Sequence, residues 1–338
     1  MRLPKSSLQM RCADLIDLLS LGEPLVQLNP LEEGPIRHAH MFEKHAAGSE
    51  VNVLIGVSRL GFKTSFITKL GNDEFSKFVL ATLKSENIGV EGVKQVEGKN
   101  CGVFFVQRNY PIPEKSDVIY YRNDSAAKSI SPDDIDESLV INSKIVHLTG
   151  ITPALSDSCR KATSKVLALA QENNVKVSFD PNYRKKLWSV QEARPVMQEI
   201  AKRTNILFVD ISDAKIILGR DLSDANEALE DLLSLGPEIV VLKLGSKQGL
   251  AAISHQDKAK SFGIRVAPVD SIGAGDAVVA GFLAGYLGKQ SLQSSLDMAS
   301  ACATLVVMRR GDFENLPDRD YMDRWLAAKE HDFDLDLR

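Results

Sequence analysis

The chain has 338 residues, 44% of them hydrophobic, 25% charged and 6% aromatic, which supplies a large core and excludes a disordered chain. With 41 Lys+Arg against 45 Asp+Glu the formal charge is −4, so no global positive field exists to gather nucleic acid or an anionic membrane, and any anionic ligand must be held by local charge. Four cysteines, Cys12, Cys101, Cys159 and Cys302, lie far apart without a CxxC pair, which argues against a disulfide framework or a thiolate zinc site and leads us to expect a reducing, cytoplasmic setting.

No apolar run approaches the length of about 20 residues that spans a bilayer. The opening MRLPKSSLQMRC is basic and lacks the continuous apolar segment of a secretory signal, so residues 1–14 read as a short extension with Met10 as a candidate start. After LIDLLSLGEPLVQLN (15–29) the pattern predicts a helix over 49–61, a strand over 64–71 and a helix over 75–87. GVFFVQRN (102–109) and DVIYYRND (117–124), separated by the proline-punctuated YPIPEKS, predict a β-hairpin. Period two puts Phe104 on one face with Val106 and Arg108, and Tyr120 with Arg122, a mixture of aromatics and cations that suits a polar, anionic small molecule.

From residue 145 onward short β-branched runs alternate with helices: strands at 145–150, 175–182, 206–210 and 237–245, helices over 156–173 and 190–203. This predicts an α/β fold with a doubly wound, mostly parallel sheet flanked by helices. The acidic tail 331–338 reads as a solvated terminus. His38, His40 and His45 could share a strand face only in part and have no cysteine nearby, so they read as surface or lid histidines and not as zinc ligands.

The most informative run is Asp270-Ser271-Ile272-Gly273-Ala274-Gly275-Asp276, leading into the apolar AVVAGFLAGYLG. A buried helix that starts on small residues presents bare N–H groups and the positive end of its dipole, an anion site, with the acid Asp276 in the first turn where a base could reach a hydroxyl. The alternative is a tightly packed helix start with Asp276 as a cap. No GxxxxGK[ST] loop occurs, and Val278 breaks a GxGxxG reading.

DSIGAGDAVVAGFL resembles the second signature of the PfkB, or ribokinase-like, carbohydrate kinase family, and the wider resemblance runs over about 15–325. It implies one kinase domain over 15–330 with a small β-sheet lid built from about 28–46 and 102–124, Asp276 as catalytic base, and Gly273, Ala274 and Gly275 as the anion hole for the transferred phosphoryl group. Gly48 and Asn52 in HAAGSEVNV resemble the first, sugar-binding signature, with Ser49-Glu50 where a second small residue is usual. GEPLVQLNP, FEKHAAGSE, GNDEF, QRNYPIP and YYRNDSA look most like the archaeal type of 2-keto-3-deoxygluconate kinase within the family.

The implied activity is ATP-dependent phosphorylation of the C6 hydroxyl of 2-keto-3-deoxygluconate, with the galactonate epimer left open. Arg122 and Arg184 would hold the substrate carboxylate, a planar guanidinium being suited to it, with Tyr120 and Phe104 beside them and Asp312 as a further neighbour. DPNYRKKLW and KLGSKQG resemble the family's phosphate and nucleotide segments, implying Asn182, Arg184, Lys243, Gly245, Ser246 and Gly249 around the ATP. Where relatives carry an N-x-x-E motif this chain has Asp210 and Asp213, two carboxylates suited to a hydrated Mg²⁺. Gly311, in RRGD, is expected to end the preceding helix. A homo-oligomer paired through the lid is expected. Two other readings stay open: a ribokinase-like kinase of another sugar, such as fructose, and a sugar-acid-binding protein without transferase activity.

Overall fold

The computed structural model describes residues 15–108, 110–112, 116–245, 249–264 and 266–330, so the extension and the acidic tail lie outside the described residues. In chain order the first half holds β1 (Ile16–Leu21), β2 (Leu25–Pro30), β3 (Phe42–Ala47), α1 (Ser49–Arg59), β4 (Thr64–Leu70), α2 (Glu74–Ser85), β5 (Ile88–Gly89), β6 (Val93–Gln95), β7 (Gly102–Arg108), β8 (Ser116–Tyr121), α3 (Glu137–Ile141) and β9 (Ser143–Thr149). The second half holds α4 (Ile151–Leu155), α5 (Asp157–Glu172), β10 (Lys176–Asp180), α6 (Val190–Lys202), β11 (Ile206–Asp210), α7 (Ile211–Leu218), α8 (Ala225–Ser234), β12 (Ile239–Lys243), β13 (Leu250–Ser254), β14 (Lys258–Ser261), α9 (Ala274–Leu287), α10 (Leu292–Val306) and α11 (Arg319–Glu330).

The large sheet runs β14-β13-β12-β11-β10-β9-β1-β4-β5, with β6 beside β4. It is parallel from β12 through β5, and antiparallel only at the β13 and β14 edge. Its inner strands β1, β4 and β9 to β12 are largely buried on both faces, as helix-covered parallel sheets require, and two apolar layers result. Val53, Phe66, Phe208 and Phe282 belong to one, beneath α1, α9 and α10, and Leu19, Val146, Phe179 and Met197 to the other, beneath α5 and α6. Phe208 meets Phe282 edge to face with centroids 5.5 Å apart, and truncating either to Ala should cost about 3–5 kcal/mol.

The hairpin β7–β8 joins β2 and β3 in a second, four-stranded sheet of order β3-β2-β7-β8. The α/β class and the added small sheet agree with the sequence pattern. Two features differ from it. β13 and β14 were invisible to it because LAAIS and KAKS are rich in alanine and lysine, residues of weak strand preference. Gly311 does not end the preceding helix: α10 stops at Val306 with Val307 as its cap, and Met308 N–H already bonds to Leu305 O at 3.1 Å. Gly311 instead takes φ +112° in the turn beyond it. Among the described residues no helix is long and apolar enough to cross a membrane.

Candidate active site

The strands β10, β11 and β12 end on Asp180, Asp210 and Lys243, and ligands of open α/β sheets bind outside such strand ends. A cleft of about 1310 Å³ opens there, and its wall includes Asp210, Lys243, the start of α1, the start of α9 and the inner face of the small sheet.

Asp276 stands in the first turn of α9 and lines this cleft while only 8% exposed. Ser49 Oγ donates to its Oδ1 and Asn52 Nδ2 to its Oδ2, both at 2.7 Å. These donors come from the first turn of α1, so the helix entered at Gly48 holds the carboxylate in a fixed orientation. Asn182, at φ 41°, donates from Nδ2 to Ser49 Oγ at 2.9 Å, which sets it beside the carboxylate. Asn52 Nδ2 also reaches Asp312 Oδ2 at 3.2 Å. Burial raises the Asp276 pKa above the ordinary aspartate value, against the two donated hydrogen bonds, and nearby Asp180 adds to the rise. Asp312 is pushed up to about 7 by burial and by Asp276, against the bond from Asn52. A raised carboxyl in a cleft has the affinity for a proton that a general base needs.

Beside it the N–H groups of Gly275 and Asp276 have no acceptor among the described residues, because α9 begins at Ala274 and its first intrahelical bond comes from Ala277 N to Gly273 O. Gly273 has φ +78°, and a side chain there would put Cβ 2.2 Å from Asp312 O, so only glycine lets the turn close. Lys243 Nζ lies 3.7 Å from where a Cβ on Gly275 would be, which sets an ammonium at the same opening. The helix end and the lysine together make an anion site.

At the other end of the cleft Phe104 and Tyr120 face each other with centroids 5.6 Å apart, and the Arg122 guanidinium sits 5.1 Å from the Tyr120 ring centre. Arg122 is buried and paired with Glu23, which also accepts from Ser125 Oγ. Its Nε is buried without a partner among the described residues. Arg184 is exposed, lines the cleft, and has no ion-pair partner among the described residues. Gly48 caps α1 at φ +128° and lines the cleft. Glu50 is buried, accepts from the Thr149 and Thr152 hydroxyls at 2.6 and 2.9 Å, and is raised to about 7 by burial.

Gly245 and Gly249 lie in the turn of the β12–β13 hairpin and both line the cleft. They differ in what holds them: a Cβ on Gly249 would meet Ser261 O at 2.3 Å, whereas Gly245 at φ +86° faces open space. Ser246 lies outside the described residues. Asp210 caps α7 through Asp213 N at 2.7 Å, and Asp213 Oδ1 accepts from Tyr183 N at 3.1 Å. Burial, with Asp210 and Asp180 nearby, raises Asp213 to about 7. Lys243 donates to Asp180 Oδ2 at 2.7 Å, and Asp180 Oδ1 is buried without a partner among the described residues. Burial would lower the lysine, but these carboxylates raise it above its ordinary value. Among the described residues no three His, Cys, Asp or Glu side chains are arranged to cage a metal ion; the orphaned Asp180 Oδ1, with Asp210 and Asp213 nearby, is a set of hard oxygen donors of the kind a hydrated cation takes.

The structure thus brings all the candidate residues it describes to one cleft or its immediate wall. Sequence reasoning missed Glu23, Ser49, Asp180 and Asp270, although each stands inside a motif already singled out. It also missed the wall formed by Ile264, Val266, Pro268, Ala303 and Val307, whose apolar side chains carry no motif.

Residues 15–319 match the family described as pfkB family carbohydrate kinase. The chain is 39% identical over 316 residues to the 2-dehydro-3-deoxygluconokinase of Thermoproteus tenax, covering 93% of this chain and 95% of that protein. It is 29% identical to the 5-dehydro-2-deoxygluconokinase of Clostridium beijerinckii, with 94% and 95% covered. A crystal structure of a putative ribokinase II from E. coli in complex with ATP and Mg²⁺ superposes with a TM-score of 0.85 at 23% identity, covering 93% of this chain and 99% of that one.

Proposed function

The chain belongs to the pfkB family of carbohydrate kinases, and we propose that it transfers the γ-phosphoryl group of ATP to the C6 hydroxyl of 2-dehydro-3-deoxygluconate, the acid also called 2-keto-3-deoxygluconate. One observation carries the chemistry: a fixed carboxylate, Asp276, stands next to bare N–H groups and an ammonium in a single cleft.

Asp276 takes the proton of the sugar hydroxyl as its oxygen bonds to the γ-phosphorus, and the bond to the departing ADP oxygen breaks on the opposite side. The N–H groups at Gly273, Gly275 and Asp276, with Lys243, meet the charge on the phosphoryl oxygens, while the Ala274 N–H is taken by Ser271 O at 3.4 Å. Such transfer asks for alignment and electrostatics more than covalent chemistry. Asp210 and Asp213 would hold a hydrated Mg²⁺, which supplies charge neutralisation at the triphosphate. The apolar wall of Ile264, Val266 and Val307 would hold the adenine, and Gly245 and Gly249, which line the same cleft, would lie near the phosphates.

The substrate is an anion at neutral pH. Arg184, with no carboxylate of its own, takes the substrate carboxylate, while Arg122, already neutralised by Glu23, offers its remaining N–H and the Tyr120 hydroxyl stands beside it. Phe104 adds apolar contact and no hydrogen bond, so discrimination between the gluconate- and galactonate-derived epimers is weak. The small sheet acts as a lid that excludes water. Its outer face carries Phe42, Phe105 and Tyr121 in edge-to-face contact, with Tyr121 68% exposed, and pairs with a second copy of the chain.

The test is a panel of hexoses, pentoses, 2-dehydro-3-deoxy acids and 5-dehydro-2-deoxygluconate with ATP and Mg²⁺. The reading expects the highest kcat/KM for 2-dehydro-3-deoxygluconate. A neutral sugar such as fructose at the top of the panel would replace it.

A further inference from the structure

Arg108 lies near the end of β7, on the face of the small sheet that carries Phe104 and Val106, and no step above uses it. Its Nη2 donates to the carboxylate of Asp270 and, at 3.3 Å, to Asn29 Oδ1. The pair is shielded from water: the side chains are 13% and 1% exposed. Asp270 Oδ1 in turn accepts the N–H of Ile272 at 3.2 Å, one residue before the αL glycine that opens α9. The Ile272 side chain packs into the small sheet's own apolar cluster of Leu25, Ala47, Phe104 and Val106. The turn that builds the anion hole is therefore fastened to the small sheet twice, by charge at residue 270 and by apolar contact at residue 272. Its incoming end is tied to the body, where Val269 N and Asp270 N both bond to Val307 O.

We infer that Arg108 is a positioning residue: through Asp270 it couples the seating of the small sheet over the sugar to the alignment of the 273–276 amides with the phosphoryl group. The inference rests on the kinase reading above but on no particular sugar. Stability alone is a poor account of this pair. Arg108 Nε and Nη1 are buried without partners among the described residues, and a buried ion pair with unmet donors is often no more stabilising than apolar groups of the same size. What the pair supplies is a fixed distance between two parts of the molecule that must come into register before transfer. The sheet bears Phe104, Tyr120 and Arg122 on the sugar, so occupation of the sugar end is felt at the phosphate end through this contact.

The experiment is a double-mutant cycle with Arg108→Met and Asp270→Asn, run with whichever sugar the wild-type enzyme phosphorylates best; a wild type inactive on every sugar would refute the kinase reading and this inference with it, whereas with an active wild type the cycle decides the inference alone. A displacement of about 1 Å can cost about 10²-fold in rate, so each single variant should lose about 10-fold to 10²-fold in kcat while KM for the sugar stays within about twofold. The double variant should lose no more than the worse single one, because both changes break the same coupling. Arg108→Lys, which keeps the charge, should recover part of kcat. Should the single variants fail to fold with one charge stranded, the double variant, which strands neither, gives the reading. Effects that multiply, a kcat unchanged in the double variant, a loss confined to KM, or a double variant that does not fold would each overturn the positioning role.

Discussion

Replacing Asp276 with Asn keeps the shape of the side chain and removes its ability to take a proton. In the wild type both carboxylate oxygens accept hydrogen bonds, from Ser49 Oγ and Asn52 Nδ2, each at 2.7 Å. The amide can keep one of these and must turn its NH2 towards a donor on the other side. General-base catalysis contributes about 10² to 10⁴-fold, or about 3–5 kcal/mol of barrier at 1.36 kcal/mol per factor of ten, so kcat should fall by that span while KM for sugar and nucleotide changes little. Folding should not suffer. The Asp276 pKa is raised in the folded protein, chiefly by burial, so ionisation opposes folding once pH exceeds the ordinary aspartate value, and the uncharged amide escapes that penalty. The variant should melt no lower than wild type at pH 8. In the wild type, kcat/KM should drop as pH falls through the raised value, because the protonated carboxyl cannot accept the hydroxyl proton. The assay is ADP formation in a coupled system, with melting followed by circular dichroism. A variant that retains turnover within tenfold of wild type would refute the assignment of Asp276 as base.

Arg184→Ala should raise KM for acidic sugars at least about tenfold, the scale of a charge-assisted hydrogen bond, and leave KM for ATP nearly unchanged; equal losses on acidic and neutral sugars would remove Arg184 from the carboxylate. His45, on β3, pairs with Glu314 at 2.5 Å. Its pKa is raised chiefly by that hydrogen bond, while Glu314 is lowered: burial alone would raise it, and His45 overrides this. The pair's contribution is present from about pH 4.5 to 6.5, the ordinary values of Glu and His. It fades as pH rises through the raised histidine value, and as pH falls through the lowered glutamate value. The melting difference between wild type and His45→Gln should thus shrink from pH 6 to pH 9, and a constant difference would contradict the pairing. Tyr121→Asp on the outer face of the small sheet should shift sedimentation at micromolar concentration towards a monomer, while a wild type already monomeric there would contradict the paired lid.

Most of the large sheet could be read from the chain because its inner strands are largely buried on both faces and announce themselves as short β-branched runs, as IVHLTG and PEIVVLKLG do. The edge strands β13 and β14 could not, since hairpin neighbours and not their own residues hold them in the sheet. The candidate base and the amides of the proposed anion hole were legible as a group because one continuous turn, 270–276, carries them. Partners brought together across the fold left no such trace: Glu23 meets Arg122 across 99 positions and Arg108 meets Asp270 across 162. Spacing along the sequence says nothing about such distances. The Ser49-Glu50 departure from the usual small residue also acquires a reason, since Ser49 holds Asp276 and Glu50 fastens α1 to Thr149 and Thr152.

The most direct trial of a carboxylate and bare amides acting together on a sugar acid is to identify the product. Enzyme, ATP, Mg²⁺ and 2-dehydro-3-deoxygluconate, followed by ³¹P and ¹³C NMR, should yield one ADP for each sugar consumed and a single phosphomonoester coupled to C6. ATP consumed without a sugar phosphate, or an ester on another carbon, would contradict the account.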